Sequence, residues 1–201
     1  MVEEPTSILA FARLVIDALE AAQIDYLLDG ALALIAWGEP RTTENCDFVI
    51  HLIDQRIRQL SIELDKRRMP VPPDILLDLL IVLEPDLPVN LIHLDSGYKA
   101  QLLLLRPNDL FRASSLARKR LVDLGEPLGA VFVHAPEDLM LNKILYYGLS
   151  QQTKHVRDIA SIVAVSRDEI DWGYFDQWIS RLNLESIWAE MKLEVDRLLG
   201  C

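Results

Sequence analysis

Side chains that can bind phosphate or metal ions surround one glycine turn and the strand that follows it. The segment Leu28-Asp29-Gly30 is a predicted strand end and turn, and residues 31–37 behind it form a predicted helix. Free N–H groups at the amino terminus of a helix bind anions. The turn is therefore a candidate phosphate site.

The next predicted strand, residues 45–52, carries Asn45 and Asp47 two positions apart. Alternate residues of a strand lie on one face, so both side chains are expected beside the turn. Two carboxylates at such positions share divalent metal ions, and a third on a neighbouring strand completes the clamp. Only one of these two residues is a carboxylate.

Hydrophobic periodicity predicts an α+β fold: a small mixed β-sheet domain over residues 1–105, followed by a helical bundle over residues 106–201. Ser7 is the expected cap of the first helix, Asp74 caps a short helix ending at Leu83, and Asp95-Ser96-Gly97 joins two strands as a hairpin turn. The predicted strands span residues 24–28, 45–52, 89–94, 98–105 and 131–134. Further helices are predicted over residues 57–64, 136–147, 153–165 and 171–181, and from residue 184 to the end.

Composition narrows the classes of function. The 201 residues carry a net charge of −11, which argues against long nucleic acid as a partner. The longest apolar run, residues 31–37, is far below the ~20 residues of a membrane span. Cys46 and Cys201 cannot build a disulfide framework, so a cytoplasmic location is expected. Residues 99–120 hold six Lys or Arg against one Asp, which fits either a bound triphosphate or a solvated basic helix face.

The order of these motifs resembles the nucleotidyltransferase superfamily, most closely the AbiEii-type and related minimal nucleotidyltransferases of bacteria. Their pattern is Gly-Gly or Gly-Ser at the turn, then Arg-x-Thr-x-Asp-hydrophobic-Asp, then Lys-x-Asp on a later strand. Arg41, Thr43, Asp47 and Lys99 match that pattern, and the helical region with Lys143 extends the resemblance over residues 24–190.

The resemblance implies transfer of a nucleoside monophosphate from an NTP to a hydroxyl of RNA, protein or a small molecule, with Mg²⁺ or Mn²⁺ as cofactor. It also implies nucleotide contacts. The residues expected to make them are Asp29, Gly30, Arg41, Thr43, Lys99 and Lys143.

Three chemically constrained positions depart from the family pattern. Asp29 replaces the first turn glycine, Asn45 the first metal-binding Asp, and Gln101 the third. Asp47 and Asp29 remain as metal ligands, while Asn45 and Gln101 keep an oxygen without its charge. At about 5 Å and an effective dielectric near 20, Asp29 repels a phosphate by on the order of 3 kcal/mol, unless a metal ion lies between them. The expected activity is weak or lost.

Two alternatives remain open: a non-catalytic module that binds a nucleotide or a partner protein, as half of a toxin–antitoxin or regulatory pair, and a structural α+β domain. In the helical region, His155 and Asp158 lie three residues apart. They are interpreted as a cap or salt bridge rather than a metal site. Trp172, Phe175 and Trp178 recur at helical spacing and are predicted to be core.

Overall fold

A computed structural model describes residues 4–82 and 87–200, which divide into two compact units. One unit comprises the described residues up to Leu32 together with Thr42–Val133, and the other comprises Ala33–Arg41 together with residues from His134 onwards. Among the described helices, none is long and apolar enough to cross a membrane. Cys46 is buried and free of a disulfide, and Cys201 lies outside the described residues.

The first unit contains a mixed six-stranded sheet, as the predicted fold class requires. Its strands are β1 (Asp25–Asp29), β2 (Asn45–His51), β3 (Val89–Ile92), β4 (Lys99–Leu104), β5 (Arg120–Asp123) and β6 (Ala130–Val133). Their order across the sheet is β3-β4-β2-β1-β6-β5. Strand β1 runs antiparallel to β2 and parallel to β6, β2 runs parallel to β4, and the β3–β4 and β5–β6 pairs are antiparallel.

The first unit extends beyond the boundary predicted at residue 105 because β5 and β6 belong to its sheet. Strand β5 was not predicted from the sequence. It is a short edge strand whose four side chains are all at least partly exposed, so it lacks the alternation of apolar and polar residues that identifies a half-buried strand.

In the described part of the first unit, five α-helices begin: α1 (Ile8–Ala21), α2 (Gly30–Trp37), α3 (Ile57–Lys66), α4 (Pro73–Ile81) and α5 (Leu110–Ala117). The predicted cap of α1 is confirmed, because the Ser7 hydroxyl accepts a hydrogen bond from the Ala10 N–H at 3.1 Å. The predicted cap of α4 is wrong. Pro72 occupies the cap position without a side-chain bond, and Asp74 lies in the first turn. Leu83, the predicted end of that helix, lies outside the described residues.

The two faces of the sheet differ in what covers them. Helix α1 covers one face, where Phe11 packs on Tyr98 with ring centroids 5.8 Å apart and the Tyr26 hydroxyl donates to Glu20 at 2.9 Å. On the opposite face, α5 contributes Leu116 to a buried cluster with Leu27, Val49 and Leu103. The residues that lie two positions after this cluster in β1, and two positions before it in β2 and β4, are on the same face and are polar.

Among the described residues, four α-helices lie wholly in the second unit: α6 (Pro136–Ser150), α7 (Lys154–Ser166), α8 (Trp172–Arg181) and α9 (Glu185–Leu199). All four lie within a few residues of the predicted segments. The ring of Phe175 is fully buried and packs edge-on against Trp172 and Trp188. The predicted core role of the α8 aromatic residues is thus confirmed for Phe175 and for Trp178, which is 5% exposed. Trp172 is 37% exposed, so for it the prediction is wrong.

The connection from β1 to α2 depends on a glycine. Gly30 has a φ of +68°, a left-handed conformation that side chains with a Cβ rarely adopt. In addition, a Cβ at this position would overlap the carboxylate of Asp47. The turn therefore brings the start of α2 into contact with β2.

Replacing Gly30 with alanine tests both constraints, and Gly97→Ala is the matched control. Gly97 also has a positive φ, of +73°, but nothing lies within 4 Å of an added Cβ. We expect Gly97→Ala to lower the free energy of unfolding by about 1–2 kcal/mol, and Gly30→Ala by about 1–3 kcal/mol more. Urea denaturation measures both values. Equal losses would contradict the close approach of Asp47 to the turn.

Candidate functional site

Strand register places four polar side chains in one row across the sheet, the polar row. Asp29 of β1 is the cross-strand partner of Asp47 in β2, which is the partner of Gln101 in β4, which in turn is the partner of Asn90 in β3. Partners of this kind lie on the same face, with Cβ atoms about 5 Å apart. The structure thus brings Asp29, Asp47 and Gln101 together, as expected from the sequence.

Asn45 lies beside the polar row and is bonded on both sides. The Thr43 hydroxyl donates to the Asn45 backbone carbonyl at 2.9 Å and lies 3.4 Å from the side-chain Oδ1. The Asn45 Nδ2 group donates to Oδ1 of Asp47 at 3.1 Å. Asn45 therefore gives the Asp47 carboxylate a neutral donor, where a carboxylate would repel it.

The carboxylate of Asp29 binds the start of the helix that follows it. Asp29 is only 2% exposed, and its Oδ1 accepts a hydrogen bond from the Gly30 N–H at 2.6 Å. The amino-terminal end of a helix favours negative charge, so this position stabilises the buried carboxylate. The Gly30 N–H that the sequence assigns to a phosphate therefore has an anionic partner within the chain.

The far end of the polar row is neutral and more open to solvent. The Gln101 Nε2 group donates to Oδ1 of Asn90 at 3.3 Å. Lys99, which is exposed, is the register partner of Asn45 and therefore belongs to the same sheet face as the row. Sequence reasoning missed Asn90. The signal was a polar residue between Val89 and Leu91, and assigning it to the row requires the register.

The donor set of the polar row limits which cations it fits. Within residues 4–82 and 87–200, no group of three or more His, Cys, Asp or Glu side chains is arranged to hold a metal ion. Asp29 and Asp47 supply two carboxylates, and the neighbouring side chains supply amide oxygens. Mg²⁺ binds proteins through one or two carboxylates together with substrate phosphates. The residues fit one such ion held jointly with a ligand, and do not fit two ions held by the protein alone.

Arg41 and Lys143, expected at the nucleotide, both bind Asp158 in the second unit. Arg41 donates to the Asp158 carboxylate from Nε at 2.8 Å and from Nη2 at 3.1 Å, and Lys143 Nζ lies 3.0 Å from Oδ2. Burial alone raises the pKa of Asp158, but the Arg41 hydrogen bond and the Lys143 charge outweigh it, so the pKa lies below its usual value. The interpretation of Asp158 as a salt-bridge residue is confirmed. His155 instead stacks on Tyr146.

Three cations of the basic segment 99–120 stabilise local structure. Arg106 donates to the Leu79 carbonyl at 2.8 Å, at the end of α4. Arg112 pairs with the α5 cap residue Asp109 at 3.1 Å, and Lys119 pairs with Asp25 of β1. These contacts account for half of the segment's positive charges without a ligand.

Substituting Asp158 with asparagine tests how much the buried ion pair stabilises the fold. Asp158 is 2% exposed and Lys143 3%, so the loss leaves buried positive charge without this carboxylate. We expect the free energy of unfolding to fall by about 3–5 kcal/mol. Asp95→Asn is the control, because it breaks the exposed Arg68–Asp95 pair and is expected to change the free energy of unfolding far less. Chemical denaturation of both variants measures the difference, and similar losses would contradict a structural role.

Comparison with known proteins gives likeness in structure only. No family model matches the chain, and no curated protein sequence matches it. The antibiotic-resistance factor ANT(2'')-Ia superposes with a TM-score of 0.56 at 11% identity, over 98% of this chain and 97% of its own. The lincosamide antibiotic adenylyltransferase LnuA gives 0.53 at 13% identity, over 82% of this chain and 100% of its own. JHP933 from Helicobacter pylori gives 0.51 at 14% identity, over 100% of this chain and 79% of its own.

At these identities the likeness concerns the fold, and the AbiEii-type subfamily stays a prediction. The mixed sheet, its helices and the solved structures that share them confirm the fold class. The chain has the fold of the nucleotidyltransferases.

Proposed function

We propose that the protein binds a nucleoside triphosphate together with one divalent cation at the polar row, and that it transfers the nucleoside monophosphate weakly or not at all. The observation that carries the proposal is the direct pairing of Asp29 with Asp47 at the start of α2. Two carboxylates at facing positions of antiparallel strands lie close enough to bind one divalent cation jointly.

The fold supports a nucleotide as the ligand. LnuA is an adenylyltransferase by name, and ANT(2'')-Ia has been solved with an adenylylated tobramycin. These activities belong to those proteins. Their shared architecture favours nucleotide chemistry over the purely structural reading of this chain. The hydroxyl of RNA, protein or a small molecule that would accept the nucleotide stays part of the proposal.

The charged and the neutral side chains of the polar row have different roles in this proposal. Asp29 and Asp47 hold the cation, and Lys99 contributes positive charge beside it. When bound, Mg²⁺ or Mn²⁺ polarises a phosphoryl oxygen and offsets the charge of the phosphates. Asp29 also has to exchange its hydrogen bond from the Gly30 N–H for the cation, which lowers the affinity for the cation compared with a carboxylate that has no such bond.

The neutral amides explain why transfer is expected to be weak. Nucleotidyl transfer with two metal ions needs enough carboxylates to hold both ions and to help deprotonate the attacking hydroxyl. Asn45 presents a donor to Asp47, and Gln101 bonds to Asn90. Neither supplies the negative charge that a second ion requires. A module that binds nucleotide without catalysis shares the binding step and differs only in the complete absence of transfer.

Binding is tested by calorimetric titration with ATP, GTP, CTP and UTP, each with and without Mn²⁺. We expect at least one NTP to bind more tightly with Mn²⁺, and Asp47→Asn to weaken that binding about tenfold or more because half of the carboxylate pair is lost. Asp65→Asn, at an exposed position on α3, serves as the control and should bind like the unsubstituted protein. Absence of Mn²⁺-dependent binding, or full binding by Asp47→Asn, would refute the proposal.

A triple variant with Asp29→Gly, Asn45→Asp and Gln101→Asp restores the family pattern. It tests whether the absent carboxylates limit the number of metal ions that bind. We expect the number of bound Mn²⁺ ions per chain, counted by electron paramagnetic resonance with a non-hydrolysable NTP, to rise from one to two. The added carboxylates supply the charge that a second ion needs. The same triple variant carrying Asp47→Asn is the control and should lose the gain. An unchanged count would show that charge at positions 45 and 101 does not limit metal binding.

A further inference from the structure

The second unit contains a cavity of about 510 Å³ between α7, α8 and α9, here called the α7–α9 cavity. Trp172 and Trp188 contribute two indole rings to its wall, and the buried side chains Val163 and Val195 add apolar surface. This volume is within the range of small-molecule sites, which are mostly apolar with a few polar groups.

The two indoles are held in place by one buried ring. Phe175 packs edge-on against Trp172, with centroids 5.7 Å apart, and against Trp188, with centroids 5.2 Å apart. Because Phe175 is fully buried, both contacts are fixed by the core of the unit. The aromatic wall is therefore formed before any ligand arrives, which lowers the entropic cost of binding a flat molecule.

Charge in the α7–α9 cavity is positive, in contrast to the net charge of −11 of the chain. Lys192 is paired with Asp196 at 2.6 Å, one turn along α9. Arg167 also lines the cavity and has no carboxylate within ion-pair distance in the part of the chain that the structure describes. One guanidinium group is thus available beside two aromatic rings.

A second cavity, of about 470 Å³, lies in the same unit and differs from the α7–α9 cavity in its charge. Its wall contains two arginines and two glutamates, so its charges cancel. Arg197 is paired with Glu194 at 2.7 Å, and the Tyr147 hydroxyl donates to Glu190 at 2.8 Å. That cavity has no net charge among its lining side chains and no indole in its wall.

We propose that the α7–α9 cavity binds a small aromatic molecule that carries a single anionic group. The ring lies against Trp172 and Trp188, and the anion accepts hydrogen bonds from the Arg167 guanidinium, whose planar fork matches a carboxylate. All of these residues belong to the second unit, so this site is separate from the polar row and does not depend on the proposed function.

The test uses 2-naphthoate as the anionic probe and 2-naphthamide as its neutral counterpart. The four tryptophans give four indole N–H signals in a ¹⁵N correlation spectrum, which single Trp→Phe variants assign. We expect 2-naphthoate to shift the signals of Trp172 and Trp188 saturably, with a dissociation constant of about 1 mM or tighter. The signals of Trp37 and Trp178, which do not line the cavity, should stay in place.

The contribution of charge is tested with Arg167→Gln, which should weaken 2-naphthoate binding about three- to tenfold and leave 2-naphthamide binding unchanged. The matched control is Arg181→Gln, because Arg181 lies over the Trp178 ring outside the cavity. Asp47→Asn should also bind 2-naphthoate normally. Three results overturn the proposal: no saturable shift at Trp172 and Trp188, equal shifts at all four indoles, or equal affinity in Arg167→Gln.

Discussion

The antiparallel pairing of β1 with β2 sets Asp29 directly opposite Asp47, and the surrounding structure has to accommodate two adjacent carboxyl groups. Each carboxylate receives a hydrogen bond from a neutral donor, the Gly30 N–H for Asp29 and the Asn45 amide for Asp47. Such bonds favour the charged form of a carboxylate. The polar row thus contains hydrogen bonds from neutral groups to both of its carboxylates.

The same sheet face is a packed core at one end and a polar row at the other. Leu27, Val49 and Leu103 pack against α5, and the residues two positions away on the same strands are Asp29, Asp47 and Gln101. The period of two in a strand places both sets of residues on the same face once the register is fixed. Loss of packing under α5 would therefore move the carboxylates as well as weaken the core.

Local features of the fold were predictable from the sequence, because they depend on near neighbours. The Ser7 cap, the turn at Asp95-Ser96-Gly97 and the placement of Asn45 and Asp47 on one face follow from spacing alone. Features that depend on distant partners were not predictable. Asn90 belongs to the polar row because of the β3–β4 register. Arg41 forms an ion pair with Asp158, which lies 117 residues away in the sequence. The short strand β5 carries too little apolar pattern to be recognised without its partner β6.

The hydrogen bond from Gly30 to Asp29 has a consequence for any anionic ligand. The Asp29 carboxylate is tethered next to the N–H that it accepts from, so its effective concentration there far exceeds that of a free phosphate. An anion without a cation therefore competes poorly with the Asp29 carboxylate for the Gly30 N–H. A cation that draws the carboxylate away would vacate the helix terminus, so metal and phosphate would enter this site together and each would strengthen the binding of the other.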